Sequence, residues 1–130
     1  DIAHDRADMT HAVLQGVTFA LRQCLEALRA TGATIDDLLA IGGGAQSGYW
    51  LQMLATAFNL PINVPEKGEF GAALGAARLA ICGVTGREPE MVMAPPDIAE
   101  TVLPDPQLSA AYNSAYEKFV KIYPAVRAVQ

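Results

Sequence analysis

Apolar residues recur at spacings of three and four from Thr10 to Arg29, where Leu14, Val17, Leu21, Cys24, Leu25 and Leu28 form one stripe. That spacing predicts a long helix. Gly32 marks its end, and Gly16, which costs about 1 kcal/mol against alanine inside a helix, marks close packing against another element. The polar residues 1–9 fray from this helix or extend it. Ile35 to Leu38 then leads through two aspartates into an apolar run, Leu38 to Ile41, read as a strand. Three glycines follow, and Ser47 introduces a second helix that ends near Asn59, with Pro61 just beyond as a stop signal. Pro61 to Pro65 is an extended segment, placed at a sheet edge by its prolines.

A third helix, about Glu69 to Cys82, is rich in small residues: Gly71, Ala72, Ala73, Gly75, Ala76, Ala77 and Ala80. Another helix, or a flat ligand, fits against such a surface, and helix packing is the simpler reading. Gly83 closes it. Residues 84–106 are punctuated by Pro89, Pro95, Pro96, Pro104 and Pro106 and read as an ordered loop or crossing segment. From Gln107 to Val126 helical spacing returns, with Leu108, Ala111, Tyr112, Ala115, Phe119, Ile122 and Tyr123 on one face, and Pro124 bends or ends the helix. The whole predicts an α/β fold, a short sheet packed with several helices.

Composition narrows the function. With 52% hydrophobic and 18% charged residues, the 130-residue chain has the means to bury a core. A net charge of -5 with scattered basic residues excludes a nucleic-acid or anionic-membrane surface, which needs clustered Lys and Arg. Cys24 and Cys82 lie 58 positions apart inside apolar helical patterns and read as small buried hydrophobes. A reducing cytoplasm is their simplest home. The longest strongly apolar stretch, Gly71 to Val84, is too short to span a bilayer and carries Arg78. His4, Asp5, Asp8 and His11 share a helical face, but no third strong ligand follows at zinc-like spacing, so they read as solvated and no metal site is assigned.

The chemistry points to Leu38–Phe58, a strand, a tight turn and a helix. Gly42, Gly43 and Gly44 let the backbone approach a ligand without a Cβ in the way. Ser47 caps a helix whose first N–H groups and positive dipole end face the same spot, an arrangement suited to phosphate. No lysine completes a Walker A loop, and Ser47 stands where Gly-x-Gly-x-x-Gly needs its third glycine. Two readings remain from these residues alone: a ligand loop, or a corner that needs glycine for packing. Tyr49 and Trp50, in the first turn of the helix, read as aromatic packing on the neighbouring helix before pocket lining.

Three segments in order carry a family resemblance. His11-Ala-Val-Leu-Gln-Gly16-Val resembles the Arg-Ala-x-x-Glu-Gly-x helix of the FGGY carbohydrate kinases. Ile41-Gly-Gly-Gly-Ala-Gln-Ser47-Gly-Tyr-Trp50 resembles their Gly-Gly-Gly-Ala nucleotide loop, and Ala73-Leu-Gly-Ala-Ala-Arg-Leu-Ala80 their Ala-Leu-Gly-Ala-Ala helix. Within the family the sequence is most similar to the xylulose kinases. The resemblance implies part of an actin-like ATPase (ribonuclease H-like) domain, with residues 1–130 the C-terminal, nucleotide-side part of a longer chain. It implies ATP and Mg²⁺, with the γ-phosphoryl passed to a sugar hydroxyl, D-xylulose to xylulose 5-phosphate. Gly43, Gly44, Ala45, Ser47 and Gly48 would contact the nucleotide. His11 and Gln15 stand where the family has arginine and glutamate, and Gly48 lacks the side chain that relatives place near adenine.

The catalytic aspartate, the first phosphate loop and the sugar-binding residues belong to a part of the family upstream of these segments, so the chain alone is expected to phosphorylate nothing. Its partners would be ATP or ADP and a sugar held mainly by the other domain. The Gly71 to Ala80 face and the final helix are surfaces for the rest of a parent chain or for a second copy in a homodimer. The competing expectations are a non-catalytic nucleotide-binding module and a purely structural or interaction domain of actin-like fold.

Overall fold

The computed structural model describes residues 3–66 and 71–129. Among the described residues, five α-helices and three strands follow one another as α1 (Arg6–Ala30), β1 (Leu38–Leu39), a 3₁₀ turn (Gly43–Gln46), α2 (Gly48–Phe58), β2 (Ile62–Pro65), α3 (Gly71–Thr85), α4 (Pro89–Val92), β3 (Ile98–Val102) and α5 (Pro106–Arg127).

Helix α1 begins earlier than its apolar stripe because its acidic residues form a capping box. The Asp5 carboxylate accepts from the amides of Ala7 (2.7 Å) and Asp8 (3.0 Å), while Asp8 accepts from the Asp5 amide (3.0 Å). These bonds satisfy amides that a helix start leaves without intrahelical partners. Residues 6–9 therefore extend the helix, and two members of the His/Asp face are spent on its cap.

Of the predicted stripe of α1, only Leu25 is among the buried residues. Thr18, Phe19 and Leu25 are buried, whereas Val17, Leu21 and Leu28 are 43, 44 and 55% exposed. Cys24, expected inside, is exposed, and Cys82 is only partly covered. Phe19 instead packs against three rings of α5, with centroids 6.4 Å from Tyr112, 5.6 Å from Tyr116 and 5.5 Å from Phe119. The face of α5 turned inward thus includes Tyr112, Ala115 and Phe119 as expected, but centres on Tyr116, while Ile122 and Tyr123 stay exposed. Pro124 lies inside α5, which runs on to Arg127.

Helix α2 is apolar on nearly every side because it is covered on nearly every side. Leu51, Met53, Ala55, Thr56, Ala57 and Phe58 are all buried between α1, α5 and the sheet. Asn59, at φ 52°, ends it in the left-handed conformation to which asparagine is suited. Thr56 carries the junction to α5: its hydroxyl donates to the Gln52 carbonyl (2.7 Å) and accepts from the Asp105 amide (3.1 Å), the residue that caps α5.

Strands β1 and β2 are parallel, joined across α2 as a β-α-β unit, and β3 pairs antiparallel with β2. The Pro61–Pro65 segment is therefore the central strand and not an edge. Its prolines do not break the ladder because they stand at its ends. Pro61 needs only its carbonyl, which accepts from the Leu38 amide (3.0 Å), and Pro65 falls at a bulge. Strand β3 and the short α4 lie inside the proline-rich stretch, where little periodicity announces them. Helix α3 continues past Gly83 to Thr85, and its predicted start at Glu69 lies outside the described residues.

Tyr116 ties α5 to α1. Its hydroxyl donates to Glu26 (2.7 Å), and the Arg22 guanidinium sits 4.2 Å from its ring centre. Burial foremost, then the bond and charge of Glu26, push the Tyr116 hydroxyl up to about 12, with Arg22 opposing. An unfolded tyrosine loses its proton near pH 10, so above that pH the folded state holds the extra proton and stability falls as pH rises. Alkaline titration should show the contribution of Tyr116 intact below pH 10 and lost progressively towards pH 12. Tyr116→Phe should remove this component from the pH dependence of the urea midpoint.

Candidate functional site at the glycine loop

The site lies where β1 ends. At the carboxyl end of a parallel strand the chain must turn into the crossover helix, and α/β sheets bind ligands outside this edge. Gly42 makes the turn with φ 83° and ψ −174°, a backbone conformation open essentially to glycine alone. Residues 43–46 then wind one 3₁₀ turn, and Ser47 starts α2 as its N-cap, its hydroxyl accepting from the Trp50 amide at 3.3 Å. Such a cap stabilises a helix by about 1 kcal/mol.

The expected contact residues come together here in two kinds. The amides of Ala45 and Ser47 are already used, donating to the carbonyls of Gly42 (3.1 Å) and Gly44 (3.2 Å). Those of Gly43 and Gly44, and of Gly48 and Tyr49, open the two helical segments and have no intrahelical acceptor by geometry. A Cβ added at Gly43 or Gly48 would meet nothing within 4 Å, so a ligand has room to approach both. Gly44 is different: a Cβ there would lie 2.7 Å from Cζ3 of Trp50. Gly71 is likewise needed for fit, since a Cβ on it would overlap the Ile41 side chain. Both readings of the glycines therefore have a place, Gly44 and Gly71 for packing and Gly43 and Gly48 for open approach.

A cleft of about 110 Å³ runs beside the loop, lined by Ala40, Gly42, Ala45 and Gln46 on one side and Val64, Pro65 and Glu66 on the other. Sequence reasoning missed Gln46 and Glu66. Glu66 directly follows β2, and recognising Pro61–Pro65 as the parallel neighbour of β1 would have placed it at the same sheet edge. The cleft is well below the 300–1,000 Å³ of a complete ligand pocket. A wider concavity of about 670 Å³ opens between the start of α1 and Tyr49, and includes His11. The loop amides do not line it. His11 there pairs with the Tyr49 hydroxyl at 2.5 Å, linking α1 to the first turn of α2. Tyr49 is 60% exposed and Trp50 packs on α1, so the aromatic pair divides between surface and interior. Among the described residues no group of histidine, cysteine, aspartate or glutamate side chains is arranged to hold a metal ion. No helix among them is long and apolar enough to cross a membrane.

Known proteins are similar to this chain in sequence and in fold. The family described as FGGY family of carbohydrate kinases, C-terminal domain, matches residues 1–84. The chain is 36% identical over 121 residues to the xylulose kinase of Escherichia coli K12, covering 92% of this chain and 25% of the relative. It is 34% identical to the xylulose kinase of Bacillus subtilis 168, covering 95% and 25%. Among solved structures it is similar to a xyloylose kinase from Brucella ovis, with a TM-score of 0.90, 46% identity, and coverage of 100% of this chain and 27% of that one. A xylulose kinase from Rhodospirillum rubrum follows at a TM-score of 0.80 and 25% identity, covering 99% and 26%. The chain thus spans about a quarter of the length of these relatives, and its small sheet and helices are part of the actin-like ATPase fold of such kinases. By sequence and by fold, the chain belongs to the FGGY family of carbohydrate kinases.

Proposed function

We propose that residues 1–130 form the nucleotide-side part of a longer sugar kinase, one that transfers the γ-phosphoryl of ATP to a hydroxyl of D-xylulose to give xylulose 5-phosphate. The observation that carries this reading is the Gly42–Ser47 loop at the carboxyl end of β1, in a chain whose relatives are xylulose kinases. In this proposal Gly43 and Gly48 offer amides and open space to the nucleotide, Gly44 offers its amide from its seat on Trp50, Ala45 packs against the nucleotide, and Ser47 holds the helix end that faces it. Magnesium bound with ATP would neutralise phosphate charge during transfer. A cytoplasmic setting goes with this activity.

Two features support a partnership with further polypeptide. The described cleft is too small to enclose a nucleotide, as expected of one wall of a two-domain site. The chain also exposes 9240 Å², against about 6,600 Å² for a compact monomer of its mass. Part of that surface is apolar: Met9, Val13, Val17, Leu21 and Leu28 along α1, and Leu79 and Val84 on α3. The small-residue face of α3, which buries none of its side chains here, joins this set. In the proposal these faces meet the rest of the kinase, with a second copy of the chain as the alternative occupant.

The test is a titration of Mg·ADP into isotopically labelled chain. Saturable amide shifts confined to Gly42–Gly48 and the first turn of α2 are expected, with no sugar-dependent ATP turnover by the 130 residues. A well-dispersed spectrum that stays still at millimolar nucleotide, both alone and after addition of the upstream kinase sequence, would overturn the nucleotide site. Sugar-dependent turnover by the isolated chain would overturn its dependence on a second domain. Because the space at Gly48 is open, Gly48→Asn should be accommodated and should tighten nucleotide binding by adding a side-chain contact near the base.

A further inference from the structure

We infer that Trp50 is a positioning residue for the nucleotide loop, and that α1 controls the loop through the buried hydroxyl of Thr18. This deepens the proposed function and rests on it for the ligand, although the geometry stands apart from it. Trp50 touches the loop in two ways. Its amide donates to the Ser47 hydroxyl at 3.3 Å, and its six-membered ring lies under Gly44, so close that a Cβ would come within 2.7 Å of Cζ3 and 3.2 Å of Cε3. The indole is in turn held from the far side, because its N–H donates to Oγ1 of Thr18 at 3.0 Å.

Thr18 is the anchor of this arrangement. It is wholly buried, in a helix whose other buried residues are Phe19 and Leu25, so its hydroxyl has no route to solvent. An acceptor fixed in a packed helix holds the indole at one angle, and the indole sets the height of Gly44, one of the residues whose amide has no intrahelical acceptor. Without the bond the ring has other rotamers, and the surface on which Gly44 rests moves with it. Sequence reasoning placed Trp50 in helix packing and left Thr18 unremarked. A threonine among apolar neighbours on a helix gives no sign of the partner that tertiary structure supplies.

Trp50 is the single tryptophan of the chain, so its indole N–H resonance and fluorescence report on this link without interference. Three variants of the full 130-residue chain form the test: Thr18→Val, which keeps the shape and removes the acceptor; Thr18→Ser, which keeps the hydroxyl; and Trp50→Phe, which keeps a ring and removes the N–H. Without ligand, Thr18→Val should move the indole N–H resonance and the Gly44 amide, and Thr18→Ser should leave both near their original positions. With Mg·ADP as probe, Thr18→Val and Trp50→Phe should weaken binding about tenfold, the scale of one lost hydrogen bond, and Thr18→Ser should restore it.

An unmoved Gly44 amide in folded Thr18→Val would overturn the inference, as would wild-type affinity in that variant. If the unsubstituted chain shows no response to Mg·ADP, alone and with the upstream kinase sequence added, the nucleotide reading fails, and the ligand-free shift of Gly44 still decides the positioning role. If Thr18→Val does not fold, Trp50→Phe carries the test. Loss of folding in both would make the bond purely structural and overturn the positioning role.

Discussion

Alanine in place of Gly42 is expected to destabilise the chain by about 1–3 kcal/mol and to abolish the saturable Mg·ADP shifts of the loop. The reason is local. At φ 83° and ψ −174° a Cβ is strained even though no neighbouring atom lies within 4 Å of it, so the cost comes from the backbone and cannot be relieved by repacking. The chain escapes by rotating the turn, which carries Gly43 and Gly44 away from the sheet edge. Gly43→Ala is the control. Its neighbourhood is equally open and its φ is not positive, so stability should change by less than about 0.5 kcal/mol. Urea midpoints and amide titrations on both variants check this, and equal stability of Gly42→Ala and the parent would refute the stated turn conformation.

Phe19→Ala carries the largest expected loss of stability, about 3–5 kcal/mol. The ring is 3% exposed and meets Tyr112, Tyr116 and Phe119, so truncation opens a cavity between α1 and α5 at the point where they lock together. Against a total stability of about 5–15 kcal/mol, that loss should leave a large unfolded population on mild heating. Leu21→Ala provides the contrast. Leu21 belongs to the regular apolar stripe of α1 yet is 44% exposed, so in this chain its truncation should cost less than about 1 kcal/mol. In a longer kinase chain that covers this face, the cost should rise towards that of a core leucine. Chemical denaturation of both variants in both chains makes the comparison, and equal Leu21→Ala costs would argue against burial of the stripe by further polypeptide.

The contrast between Phe19 and Leu21 shows why part of this fold was legible and part was not. The periodicity of α1 correctly announced a helix, but of the regular stripe only Leu25 is buried in the chain alone. Periodicity records every apolar face, including those left exposed here, and does not rank them. Thr18 and Phe19 were chosen for burial by the N–H of Trp50 and the rings of α5, contacts across 32 or more residues of sequence. The error at Pro61–Pro65 has a similar origin. Proline is excluded from central ladders when its missing N–H is needed, and which carbonyls and amides are needed depends on register.

What the sequence determined by itself is local: the glycine turn between strand and helix, Ser47 as the cap of α2, Asn59 at its end, and the helical periods of α1, α2 and α5. These follow from backbone sterics, capping chemistry and the 3.6-residue repeat, which act over a few positions, and the three motifs that carry the family resemblance are local in the same sense. Tertiary structure alone decided which glycines serve packing, because Gly44 meets Trp50 and Gly71 meets Ile41 only once the elements are assembled. It alone brought Glu66 beside Gly42 and hung Trp50 from Thr18. Those relations join residues distant in sequence, and only the packing of the βαβ unit against α1, α3 and α5 sets them.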